Sequence, residues 1–365
     1  MNSSWINRAW ERQGFIGKAL WLLLVPVSAI FSAFVGLRNA LFSLRWRRAL
    51  ALGRPAISIG NLTVGGTGKT PSCIWLARAL QKQDLKVAIL TRGYGGKRSA
   101  PLVLFGSGNG ATGLASSEEV AAAGDEPCMM ARIYGQTVAV CEKRHLAARE
   151  LLSRRDIDVF ILDDGFQHRC VKRDADVVLL GSDTSGWILP AGPFREPPKA
   201  LQRADFLLVT GAQDEWALTM RSFRNKTSFR GALAPVALVG YRDNGWKEYP
   251  LSLLYRNKIV AVAGIAHPER FYRLLHDFES EIVDVLEFPD HHNYSAADWQ
   301  HINRIGRTAE LIVTTEKDII KLARFPFAKD KLLALRVEMV VENGDALVAA
   351  LSERVREQQA TARAI

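Results

Sequence analysis

Cysteine is scarce in this chain of 365 residues: four are present, Cys73, Cys128, Cys141 and Cys170, and no two stand in a C-x-x-C spacing. That excludes a disulfide-stapled scaffold, argues against a zinc site and fits free thiols in a reducing compartment. Acidic residues are in deficit, 38 against 48 Lys and Arg, which leaves a net charge of +10. Such a surplus points to an anionic partner: a nucleotide, a nucleic acid, an anionic lipid or a phosphorylated substrate. Internal repeats and low-complexity tracts are missing, and with 48% hydrophobic residues nothing reads as disordered. The length suits two domains better than one. Long apolar runs are missing as well, with one exception.

That exception is the uncharged run from Ala19 to Leu37, with Arg8, Arg12 and Lys18 before it and Arg38, Arg45, Arg47 and Arg48 after it. It is just long enough to span a bilayer. No small-residue cleavage site follows, which disfavours a signal peptide. A spanning helix, an interfacial helix and a buried core helix remain. Pro26, Ser28 and Ser32 weaken the first, and basic residues on both sides suit anionic headgroups. The expectation is attachment to a membrane surface.

The motif at the centre of the chain is Val64-Gly65-Gly66-Thr67-Gly68-Lys69-Thr70, between the apolar run Ala56 to Gly60 and an amphipathic segment that opens at Pro71. Strand, glycine-rich loop, Gly-Lys-Thr and helix in that order make a P-loop, whose backbone N–H groups and helix N-terminus surround a polyphosphate. Lys69 would reach the β- and γ-phosphates of a nucleotide, and the Thr70 hydroxyl would join a Mg²⁺ shell. Thr63 occupies the position where the pattern G-x-x-x-x-G-K-[ST] has its first glycine. The nucleotide-binding candidates are Thr63, Val64, Gly65, Gly66, Thr67, Gly68, Lys69 and Thr70.

Short apolar runs follow at 86–91, 137–141, 158–162, 176–180 and 205–209, with a helical segment from Lys143 to Ser153 among them. They read as buried parallel strands of an α/β domain, so ligands should gather at their carboxyl ends. There the run Val159 to Leu162 ends in Asp163-Asp164, which serves either as a Walker B pair for Mg²⁺ or as a turn. Arg92, in Thr91-Arg92-Gly93-Tyr94-Gly95-Gly96, either meets phosphate or lies on a flexible loop. Gly124-Asp125-Glu126-Pro127 puts two acids where catalysis or plain helix capping would use them. The stiff loop Ile188 to Pro198 presents Arg195 as a substrate or phosphate contact, or is a rigid connector. No aromatic-basic stacking motif or nucleic-acid module is visible.

Residues Gly60 to Pro71, Arg92 to Gly95, Gly124 to Pro127, Asp163-Asp164-Gly165-Phe166-Gln167-His168 and Pro190 to Glu196 occur in one order across the chain. Taken together they resemble the tetraacyldisaccharide 4′-kinases, the lipid A 4′-kinases of Gram-negative bacteria, and the likeness extends to Thr314-Thr315-Glu316-Lys317-Asp318. That family's P-loop also lacks glycine at its first position, which accounts for Thr63. The resemblance implies transfer of a phosphoryl group from ATP, with Mg²⁺, to the 4′-hydroxyl of a tetraacyldisaccharide 1-phosphate. It assigns the catalytic acid of the Gly-Asp-Glu-Pro motif to Asp125 and its partner histidine to His291 of Asp290-His291-His292. His291 would orient Asp125 and raise its readiness to accept a proton, with closure of two lobes bringing the pair together. Lys69 joins them as a catalytic residue; Thr70, Asp163, Asp164 and Glu126 are the metal candidates, and Arg92 and Arg195 the substrate candidates.

The implied partners are the lipid disaccharide and anionic lipids of the inner membrane, with no nucleic acid and a monomeric chain, on the cytoplasmic face of that membrane. The expected fold is α/β: a P-loop NTPase-like parallel-sheet core, a second smaller α/β domain and an N-terminal membrane-associated helix. Boundaries fall at 1–50 for the apolar and basic segment, 51–225 for the nucleotide-binding domain and 226–250 for a two-stranded linker. The smaller domain then takes 251–341 and a closing amphipathic helix 342–365. Within the smaller domain, Ser295 and Asp298 form a capping box at a helix start.

Overall fold

A computed structural model describes residues 4–94, 96, 100–106, 113–181, 186–211, 221–327 and 331–363. Its strands are β1 (Ala56–Asn61), β2 (Val87–Thr91), β3 (Leu102–Leu104), β4 (Val138–Val140), β5 (Val159–Asp163), β6 (Ala175–Leu180), β7 (Phe206–Val209), β8 (Thr227–Arg242), β9 (Gly245–Tyr249), β10 (Lys258–Ala263), β11 (Glu281–Glu287), β12 (Leu311–Thr315) and β13 (Leu332–Val341). The helices are α1 (Ser4–Trp10), α2 (Gly14–Ser43), α3 (Lys69–Gln81), α4 (Ser117–Ala123), α5 (Asp125–Arg132), α6 (Arg144–Leu152), α7 (Pro268–His276), α8 (Ala296–Ile305), α9 (Glu316–Leu322) and α10 (Gly344–Arg363). Two compact units share them. The first takes Met1–Cys73, Asp158–Ala232 and Val340–Ile365, and the second Ile74–Ile157 and Leu233–Met339.

In the first unit the strands run parallel in the order β8, β7, β6, β1, β5, with β8 joining through Thr227 to Arg230. All six residues of β1 and β6 are buried, the signature of strands covered on both faces. Ile59 lies opposite both Asp163 and Val177, so the carboxyl ends of β1 and β5 finish side by side. Helix α10 buries Leu347, Val348, Leu351 and Val355, the face expected from their spacing.

Helix α2 is longer than the apolar run, because polar residues at both ends do not stop a helix whose backbone bonds continue. It is docked along its length. Ser28 Oγ donates to Ile188 O at 2.6 Å and Arg38 Nη2 to Glu196 at 2.8 Å, while Trp21 meets Trp187 edge-on at 5.3 Å; Trp10 of α1 adds a bond from Nε1 to Pro190 O at 2.9 Å. From Trp21 to Arg38 one face therefore lies on the proline-rich loop. The other face exposes Phe15, Ile16, Leu22, Leu23, Val27, Ile30, Phe34 and Leu37, a continuous apolar stripe at helical spacing.

In the second unit β2 and β4 are parallel, and β3, which the apolar pattern does not reveal, pairs antiparallel with β4. Strands β11, β10, β12 and β13 form a parallel set in that order. Strands β8 and β9 make a hairpin whose turn residues Asp243 and Asn244 both have left-handed backbone (φ 48 and 61), as a two-residue turn matched to strand twist requires. Ser295 and Asp298 form the capping box at the start of α8.

Candidate active site: a phosphate cradle and a carboxylate–imidazole pair

The P-loop of the first unit follows β1 and opens α3 at Lys69. Gly65 has φ +121 with no atom within 4 Å of where a Cβ would stand, so its backbone is open to close approach by a ligand. The N-terminal N–H groups of α3 lack helical acceptors by construction and face the same loop. Lys69 Nζ donates to Asn61 Oδ1 at 3.2 Å and to Gly65 O at 3.4 Å, and stands 3.8 Å from Asp164. Buried Asn61 also donates to Thr67 Oγ1 at 3.0 Å, so one side chain fixes both the loop and its lysine.

Thr63 and Val64 are committed to a different partner. Thr63 pairs with Phe194, and the Val64 N–H donates to Pro193 O at 2.9 Å, while Arg195 N returns a bond to Leu62 O at 2.7 Å. The proline-rich loop is thus stitched to the entry of the P-loop. Its Arg195 donates to both oxygens of Asp164 at 2.8 and 2.7 Å and reaches Gln167 Oε1 at 3.5 Å. Gln167 in turn donates to Asn61 O at 2.9 Å. Asp164 has φ 51, a conformation that non-glycine residues adopt sparingly and that clusters at functional sites.

Asp163 ends β5 and accepts from Cys73 Sγ at 3.6 Å. Burial first, and then the Asp163 charge, push the Cys73 thiol well up, so it remains a proton donor. Thr70, Asp163 and Asp164 offer only oxygen donors, the chemistry that suits Mg²⁺, which takes one or two carboxylates and leaves the rest of its shell to phosphate and water. Glu126, the fourth metal candidate, lies in the second unit and is salt-bridged to Lys317. No cluster of three or more His, Cys, Asp or Glu with metal-holding geometry occurs among the described residues.

In the second unit Gly124 caps α5 with φ +93, and a Cβ there would sit 2.6 Å from Tyr94 O. Glycine therefore lets the Arg92 to Tyr94 segment lie against the helix start; Gly95 lies outside the described residues. No side chain caps α5, and Asp125, its first residue, accepts from the Glu126 N–H at 2.9 Å. His291 Nδ1–H donates to both its oxygens, at 3.0 and 2.9 Å, and Lys321 Nζ donates to Oδ2 at 3.2 Å. Arg92 is exposed, while Tyr94 stands 5.7 Å from the His291 ring.

Burial alone would raise the Asp125 carboxyl. The His291 hydrogen bond and the charges of Lys321, His291 and Lys317 outweigh it and hold the group at about 2. The same hydrogen bond raises His291 above its ordinary value against the opposing effect of burial. The pairing therefore keeps Asp125 ionised but makes it a weaker base, contrary to the expectation that His291 would raise its readiness for a proton. The contact lies within one compact unit. His291 also has left-handed backbone (φ 59). His292 points elsewhere: its Nε2 meets Asp298 at 3.1 Å, and its ring stacks on Phe288 at 4.9 Å.

Helix α9 supplies what the motifs leave out. Thr315 caps it, and fully buried Asp318 accepts from Thr315 Oγ1 at 2.7 Å and from Gly264 N at 2.9 Å. Lys317 and Lys321, one turn apart, reach Glu126 and Asp125, which are adjacent on α5. The available signals were the i, i+4 lysine spacing after Thr315 and the Thr314 to Asp318 segment of the resemblance; Asn61, Gln167 and Glu196 lay inside its other motifs with no role assigned.

The model of the family described as tetraacyldisaccharide-1-P 4′-kinase matches residues 20–356. The chain belongs to that family. Among curated relatives, the tetraacyldisaccharide 4′-kinase of Syntrophus aciditrophicus is 41% identical over 346 residues, covering 88% of this chain and 89% of its own. That of Anaeromyxobacter dehalogenans strain 2CP-C is 36% identical over 359 residues, covering 94% and 93%. A crystal structure of LpxK from Aquifex aeolicus in complex with ATP superposes with a TM-score of 0.75 at 31% identity, covering 92% of this chain and 99% of that one. The family is one of kinases, and the mixed, mostly parallel α/β fold is shared with that structure.

Proposed function

We propose that the chain transfers the γ-phosphoryl group of ATP to the 4′-hydroxyl of a tetraacyldisaccharide 1-phosphate. The observation that carries this reading is the joint presence of two constellations in a member of this family. One is the Lys69 cradle with Asp163, Asp164 and Arg195; the other is an ionised Asp125 held by His291 and Lys321. The P-loop amides, Lys69 and the α3 N-terminus bind the triphosphate. Thr70, Asp163 and Asp164 hold Mg²⁺, which when bound neutralises phosphate charge.

Asp125 receives the hydroxyl proton. A carboxylate held near 2 is a weak base, and that suffices because phosphoryl transfer passes through a loose transition state in which the attacking oxygen loses its proton late. His291 and Lys321 act through Asp125 as positioning residues: they fix its rotamer and keep it charged. Arg195 and Arg92 are substrate contacts, the former fixed on Asp164.

The chain works at the cytoplasmic face of the inner membrane, attached by one face of α2. Support comes from a window of mean hydropathy 2.3 that is only 11% buried, combined with docking of the opposite face along the proline-rich loop. A helix held sideways in this way lies in the interface rather than spanning it. The deciding experiment measures ATP consumption with a tetraacyldisaccharide 1-phosphate, single-stranded nucleic acid or a protein acceptor. Stimulation by the disaccharide alone is expected; stimulation only by either of the others ends the reading.

A further inference from the structure

At the carboxyl end of α2 a cleft of about 610 Å³ is lined by Phe42, Arg45, Arg47 and Arg48 on one wall and Arg169, Lys172 and Arg173 on the other. No acidic residue lines it. From its chemistry and place we infer that this cleft binds the phosphate of an anionic phospholipid headgroup. The inference takes only the source of its ligand from the membrane-attachment reading above.

Two walls are held together by backbone. Arg45 adopts φ 60 and Arg47 N donates to Leu41 O at 3.1 Å, turning the chain back under the end of α2. Leu50 then pairs with Val171, with Leu50 N on Cys170 O at 2.8 Å and Lys172 N on Leu50 O at 2.9 Å. The two basic segments cannot splay apart without breaking this bridge.

The charge inside is only partly answered by protein. Arg173 is held by Asp176 at 2.8 and 3.1 Å, and Lys172 stands 3.2 Å from Asp174. Arg169 spends its donors on neutral groups, Asn39 O at 2.7 Å and Ser43 Oγ at 3.3 Å. Its guanidinium is pushed below its ordinary value by burial first and then by the neighbouring Arg203 and Arg173. Arg45, Arg47 and Arg48 are exposed and, among the described residues, meet no carboxylate. A phosphate bound there would relieve mutual repulsion of the arginines and receive planar, paired donors, for which guanidinium is well shaped.

The rim selects the source. Leu44, Trp46 and Leu50, which alternate with the lining arginines, are exposed at 64, 78 and 50%. A free phosphate or a nucleotide would gain nothing from such a rim. A headgroup at the level of an interfacial segment would place its phosphate in the cleft and its chains against Leu44, Trp46 and Leu50.

The test is flotation of the full chain with vesicles of phosphatidylcholine alone or mixed with phosphatidylglycerol. Arg47→Gln/Arg48→Gln should lower binding to the mixed vesicles roughly 30-fold while leaving binding to phosphatidylcholine unchanged. Arg221→Gln/Arg224→Gln, an exposed pair elsewhere on the same unit, removes equal charge and should lower it far less. Equal losses from the two pairs would mean diffuse attraction and overturn the cleft. So would wild-type binding that ignores phosphatidylglycerol, or competition by inorganic phosphate as strong as by the anionic lipid. A rise in acceptor KM for Arg47→Gln/Arg48→Gln in detergent free of phospholipid would give the cleft to the substrate's phosphate and also end the proposal. Leu23→Gln/Ile30→Gln tests attachment separately: it should abolish binding to phosphatidylcholine, and its failure would remove the helix reading while leaving any phosphatidylglycerol increment to the arginines.

Discussion

His291 Nδ1 and the Asp125 carboxylate meet at 2.9 Å although 166 positions separate them in the chain. If Asp125 takes the hydroxyl proton and His291 only fixes it, Asp125→Ala and His291→Ala should each lower kcat by roughly 10² to 10⁴. Members of one unit do not lose rate additively, so the double variant should be little worse than the poorer single one. His292→Ala should leave kcat intact, since that ring serves Asp298 and Phe288. Losses that multiply, or a damaging His292→Ala, would dissolve the pair.

The same contact has a pH signature. Asp125 is depressed from 3.8 to about 2, so its contribution to stability is present above 3.8 and is lost as pH falls toward 2. His291 is raised above 6.5, so its contribution is complete below 6.5 and disappears as pH rises through its higher folded value. The Tm difference between wild type and His291→Ala should therefore be largest between about pH 4 and 6.5 and shrink on the alkaline side. A difference that grew with pH would show that the imidazole is held neutral.

Much of this was legible beforehand, for identifiable reasons. Strands β1, β5 and β6 are buried on both faces, and such strands write themselves as apolar runs. Strand β3 has three residues, too few for any periodicity to register. The P-loop and Asp163-Asp164 were visible because their chemistry depends on local order. Lys321 was not, because only the packing of α9 against α5 gives it a role; Asp318 stood in the Thr314 to Asp318 segment without one, since its partner Gly264 is distant in the chain. The docked face of α2 was hidden for another reason: Trp21, Ser28 and Val35 sit in a run apolar all round, which does not announce which side is covered. Glu196 stood at the end of a proline-rich motif with no role of its own, yet it is fully buried.

Lys69 bridges Asn61, Gly65 and Asp164, so its removal leaves partners that water can reach rather than a buried void. Lys69→Ala should keep the unfolding free energy within about 1 kcal/mol of wild type and nearly abolish turnover. A denaturant melt together with steady-state assay checks both halves. Turnover near wild type would take the P-loop out of the mechanism.

Glu196 is the point where α2 meets the loop that carries Arg195. Its buried carboxylate accepts from Arg38 of α2 at 2.8 Å and from Arg203 at 2.5 Å, and the preceding residue, Arg195, holds Asp164. Removing the acid leaves two guanidinium groups without their shared anion, so Glu196→Ala should destabilise by about 3–5 kcal/mol. Arg38 is partly exposed, and Arg203 still answers Glu196 without it, so Arg38→Gln should cost no more than about 1–2 kcal/mol. Its functional effect should be selective. With α2 loosened from the loop, the acceptor KM on vesicles should rise while the KM for ATP stays put, because the Asn61–Lys69 bond is untouched. Denaturant melts of the two single variants and the double should give a coupling of about 0.5–3 kcal/mol. Additive losses, or an Arg38→Gln variant with unchanged acceptor KM, would mean that the helix anchors the chain without steering the loop that carries Arg195.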